Sequence, residues 1–136
     1  MQLRLVLRGA LALTLASLLA CSDSATAPRP GDPSGVYSAS EFTTRADGVT
    51  SDQLAEGVTL TLRLAEDGTT SGMLSVPAAS DTPVDLTGTW TRAGATITFA
   101  HPLETFLEKL VFTLNGDRLS ADGVVGPNFV HVTLTR

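Results

Sequence analysis

From Gly35 onward the chain alternates between apolar and polar residues with a period of two. The cleanest stretch is Val58-Thr59-Leu60-Thr61-Leu62-Arg63-Leu64. On a β-strand this order puts the valine and leucines on one face and the threonines and arginine on the other. The same order recurs in Val84, Leu86, Gly88 and Trp90, in Ala95, Ile97 and Phe99, in Leu110, Phe112 and Leu114, and in Val130, Val132 and Leu134. One apolar face and one wet face is the mark of an antiparallel sheet. The threonines between the apolar positions are β-branched and polar, which suits the solvated side of a pleat.

Turn-forming residues separate these runs: Glu66-Asp67-Gly68, Ala93-Gly94 and Asn115-Gly116-Asp117. Tight hairpins need residues that accept positive φ there. The pattern predicts eight strands, near 35–43, 57–65, 69–76, 84–92, 95–100, 109–115, 118–125 and 128–135. The first strand fits either register, with Val36, Ser38, Ser40 and Phe42 inward or Tyr37, Ala39 and Glu41 inward. Two connections are long, 44–56 and 101–108, and the second can form one helical turn after Pro102. Eight sequential antiparallel strands with one apolar face close most economically into an up-and-down barrel, which removes both open edges. The alternative is a two-layer sandwich with longer crossing connections. The predicted fold class is therefore all-β, a single closed barrel over residues 35–136.

The first 34 residues read differently. Residues 1–20 carry Arg4 and Arg8 ahead of a mostly apolar stretch, Gly9 to Ala20, as a secretory leader does. That stretch is too short for a permanent span, which needs about 20 apolar residues. Cys21 follows at once and is the only cysteine, so no intramolecular disulfide can form. Leu18-Leu19-Ala20-Cys21 resembles the bacterial lipobox, which implies that Cys21 becomes the first mature residue and receives a lipid. The next residue is Ser22 and not Asp, which by the same resemblance directs the protein to an outer membrane in a host with two membranes. Residues 21–34 hold three prolines and one glycine without apolar periodicity, and are expected to form a flexible tether.

Charge narrows the partners. Cleavage before Cys21 leaves seven basic residues against fourteen acidic ones, a net charge of −7. Lys109 is the only lysine. Such a chain does not suit nucleic acid or anionic lipid, whose phosphates need clustered cations.

Chemistry is sparse. His101 and His131 have no nucleophile or spaced metal-ligand partners, and both read as solvated surface residues. Glu66, Asp67 and Asp117 fit hairpin turns, and Glu104 and Glu108 fit a solvated helical face. No catalytic residues, metal ligands or cofactors are assigned, and no enzymatic activity is expected.

Gly35-Val36-Tyr37, the segment 62–69, Gly88-Thr89-Trp90 and the closing Val132–Arg136 together resemble the small bacterial lipocalin-like domains of the calycin group. The strict lipocalin signature has tryptophan on the first strand, where this chain has Tyr37, and Trp90 falls on the fourth. The resemblance implies a barrel that can hold one small ligand. Two functions fit. In the first, Leu60, Leu62, Leu64, Trp90, Ile97, Phe99 and Phe112 line a cavity for a small hydrophobic molecule. In the second, the lipid-anchored monomeric barrel is an envelope scaffold or inhibitor that contacts another protein through its loops, with Phe106 as an apolar anchor.

Overall fold

The computed structural model describes residues 31–136. The leader 1–20, Cys21 and the tether up to residue 30 lie outside the described residues. Strand β1 (Gly35–Ala46) is followed by β2 (Val49–Asp52), β3 (Thr59–Leu64), β4 (Thr69–Ser75), β5 (Val84–Asp85), β6 (Gly88–Ala93) and β7 (Thr96–Ala100). A 3-10 turn (Phe106–Lys109) then precedes β8 (Phe112–Asn115), β9 (Arg118–Val125) and β10 (Asn128–Thr135). All pairings are antiparallel; β1 pairs with β3 past β2, β4 pairs with β6 past β5, the remaining neighbours are successive strands, and β10 returns to pair with β1. The result is a closed eight-stranded barrel, with β2 and β5 as two short additions. Closure, and not a sandwich, is the solution this chain adopts.

The inward set follows the alternation. Val58, Leu60, Leu62 and Leu64 are buried, while Thr59, Thr61 and Arg63 between them are exposed. The first strand uses both registers that the sequence allows. Ala39 pairs with Leu134 and Glu41 with Thr133, so Ser40 is an extra residue in β1. This bulge shifts the phase of the pleat by one. Tyr37 points inward before it and Phe42 points inward after it, although five positions separate them.

Three boundaries differ from expectation. The stretch 44–56 is not an open loop: β1 runs on to Ala46, turns at Asp47-Gly48 and returns as β2. Both turn residues have positive φ (51° and 80°), as this tight hairpin requires. The strand expected over 84–92 is broken into β5 and β6. Asp85 accepts the backbone N–H of Thr87 at 2.7 Å and its hydroxyl at 2.6 Å, which takes Thr87 out of the ladder. At the break, the N–H of Leu86 donates to the carbonyl of Gly72. Gly72 sits so close to β3 that a side chain there would collide with the Thr61 carbonyl. Finally, β8 starts at Phe112, because residues 106–109 belong to the 3-10 turn.

Antiparallel order sorts the connections into two ends. At the first end lie the chain's entry (31–34), the turns 65–68, 94–95 and 116–117, and Arg136. The second end carries Asp47-Gly48, the segments 53–58, 76–83 and 101–111, and the Gly126-Pro127 turn.

Candidate functional site

A closed barrel offers its interior as the natural place for a ligand. Leu62, Ile97 and Phe112 have no accessible surface, Leu64 has 1% and Leu60 2%. A side chain that borders a void wide enough for water keeps accessible area; these are met by other atoms on every side. Phe99 packs edge-on against Phe112, with ring centroids 5.2 Å apart. Trp90 is half-buried against the same core, and its indole N–H donates to the carbonyl of Ala65 at 2.9 Å. The residues named as a ligand lining are thus brought together, as a core in mutual contact. A recess of about 290 Å³ does exist, but it opens at the entry end among Ser34, Val36, Arg63 and Glu66.

The segment 101–111 closes the second end. Leu107 and Leu110 are buried there, and the half-buried Phe106 lies on Phe42 with ring centroids 4.9 Å apart. Phe106 therefore packs against the barrel mouth.

His101 departs from the surface position expected of it. Its side chain is fully buried, because the segment 101–111 folds back over the mouth and carries the ring inside. Nε2 lies 3.3 Å from the Thr70 hydroxyl, which itself donates to the carbonyl of Leu86. Nδ1 has no hydrogen-bond partner, and the nearest carboxylate oxygen, on Glu108, is 3.9 Å away. Burial lowers the pKa of His101, with Glu108 opposing. Glu108 is not part of a solvated face either. It turns inward and accepts the backbone N–H of His101 at 2.7 Å, while Glu104 stays exposed.

His131 is on the outer wall, as the register predicts. It bonds Asp122 on β9 and lies 3.3 Å from Glu41 on β1. The hydrogen bond with Asp122 raises its pKa, Glu41 adds to this, and partial burial opposes it. Asp67 acts in its turn, accepting the N–H and hydroxyl of Thr69, and these bonds hold its carboxyl below the usual carboxylate range. Among the described residues, no group of three or more His, Cys, Asp or Glu is placed to hold a metal ion. No helix among them is long and apolar enough to cross a membrane.

Sequence reasoning missed the residues that close the entry end. Arg136 donates to the carbonyls of Asp32 and Ser34 and to the Asp117 carboxylate. Arg92 donates to the carbonyl of Gly31. The last residues of the expected tether are thereby held against the barrel. A cation two positions beyond the last inward leucine was the only available signal, and it does not name its partners.

Fold and site together define a closed antiparallel barrel whose interior is filled by its own side chains. The chain matches no protein-family model, no curated protein and no solved structure.

Proposed function

We propose that this protein is an exported, lipid-anchored envelope barrel that serves as a rigid scaffold and contacts another envelope protein through its loops. One observation carries the reading: Leu62, Ile97 and Phe112, central to the inward face, retain no accessible area. A barrel that carries a hydrophobic molecule needs a wall with free surface, typically around a cavity of ~300 Å³ or more. Anchoring rests on the lone Cys21 after an apolar stretch, and the outer membrane is favoured by Ser22 at the following position.

Two measurements on the chain exported in a bacterium test this. Labelled palmitate should enter the wild type and not Cys21→Ala. Native mass spectrometry should then give the mass of the lipidated chain alone. A discrete additional mass, lost on denaturation, would sink the scaffold reading and restore a hydrophobic ligand as the barrel's cargo. That ligand would require Phe106, Leu107 and Leu110 to leave the mouth and the inward side chains to repack.

A further inference from the structure

The two ends of the barrel differ in charge and in exposed apolar surface. The entry end carries Arg92, Arg118 and Arg136 beside its acids, and Arg136 is bonded to Asp117. The opposite end exposes Asp47, Glu56, Asp81 and Glu104 on four separate connections, against the two cations Arg45 and Lys109. Leu103 is 57% exposed on that end, next to Glu104. Val124 (69% exposed) and Phe129 (45%) form a cross-strand pair at the same end, beside its Gly126-Pro127 turn. Large apolar side chains left in water at an end where exposed acids outnumber cations are what an interface with a complementary partner shows. The chain enters at the far end, where Arg136 and Arg92 fix residues 31–34.

From this juxtaposition we propose that the end bearing Leu103, Val124 and Phe129 docks a basic, apolar-bearing segment of another protein. The inference rests on the scaffold reading and specifies its surface and its partner. The acids steer a cationic segment toward this end, and the apolar side chains hold it once water is expelled. An anionic lipid surface is repelled by the same charges. A tether leaving from the entry end directs this surface away from the anchoring membrane.

The test uses the full-length exported chain in detergent micelles and two synthetic helical probes. One probe carries leucine and tryptophan at i, i+3, i+4 and i+7 with lysine on the opposite face; the other replaces each lysine by glutamate. The lysine probe should bind, and backbone amide shifts should concentrate in 47–56, 78–83, 103–111 and 124–129. The triple variant Asp47→Lys, Asp81→Lys, Glu104→Lys should weaken binding about tenfold. Leu103→Ser should weaken it severalfold, and Glu66→Lys at the entry end should leave it unchanged. Equal binding of both probes, no binding, shifts spread over the arginine end, or a triple variant that binds like the parent would each overturn the proposal. So would the same amide shifts on raising the detergent concentration without probe, which would make the apolar side chains a lipid contact. None of these outcomes bears on whether the barrel is filled, which the native mass decides separately.

Discussion

The guanidinium of Arg136 lies over the ring of Tyr37, with its central carbon 5.6 Å from the ring centroid. The Tyr37 hydroxyl donates to the carbonyl of Pro33 at 2.9 Å, and Arg136 bonds the carbonyls on either side of that proline. One residue just past the last strand thus fixes the chain's entry, the first inward aromatic and the β8–β9 turn. Arg136→Ala should destabilise the domain by about 2 kcal/mol, from a lost cation–π contact and lost charged hydrogen bonds. Arg136→Lys keeps the charge without the planar fork and should recover less than half of that. Urea unfolding of the two variants checks both. Equal stability of Arg136→Ala and the wild type would mean the cluster is incidental.

Deleting Ser40 removes the bulge and restores strict alternation along β1. Tyr37 and Phe42 then stand four positions apart, so strict alternation still turns both inward. The deletion variant should therefore still form a cooperative barrel by circular dichroism and urea unfolding, losing about 1 kcal/mol with the Ser40 hydrogen bonds; a chain that no longer folds would mean the bulge is needed for closure.

The two histidines should titrate on opposite sides of 6.5, their ordinary value. The folded state binds a proton on His101 less readily than the unfolded chain does. Its contribution to stability is therefore complete above 6.5 and is lost as the pH falls below 6.5 toward the folded value. For His131 the folded state binds the proton more tightly. That contribution is complete below 6.5 and is lost as the pH rises through the folded value. Imidazole proton shifts followed by NMR should show this order, and Asp122→Asn should bring His131 down. If His101 titrated above His131, the burial of its ring would be wrong.

Phe106→Ala should cost about 1–2 kcal/mol and leave a folded barrel, because the ring is only half-buried and rests on Phe42. Leu62→Arg belongs to another class. Leu62 has no accessible surface, and a guanidinium there would be buried without a counter-charge. That chain should not fold, and near-ultraviolet circular dichroism would show it as a lost tertiary signal.

Much of this architecture was legible in the sequence because a pleated strand repeats every two residues. Val58 to Leu64 announce their own faces, and the Asp-Gly and Asn-Gly pairs announce turns. The hairpin at Asp47-Gly48 carried the same turn signal, but the strand after it, Val49–Asp52, has one apolar residue and no alternation to mark it. The bulge had no signal at all. Ala39, Ser40 and Glu41 are unremarkable on either face, and only the need to seat both Tyr37 and Phe42 selects the extra residue. The site was less legible than the fold. Alternation tells which side chains point inward, but whether they leave a void depends on how opposite walls meet. His101 was misplaced for the same reason. Its neighbours in sequence are those of a loop, and its burial comes from the segment 101–111 closing over the mouth.

The seam of the barrel joins its first strand to its last, and Ser40 bonds residues 93 and 95 positions away. Until β10 is available, a nascent chain presents two open edges and a one-sided apolar sheet. Local hairpins can form early, but the contact that seals the cylinder is among the most distant in the chain, so it is gained late and at the full entropic expense of a long loop. Folding is thus timed by the arrival of the final strand. On the export route proposed above, a chain in a narrow channel would remain open and threadable until β10 emerges.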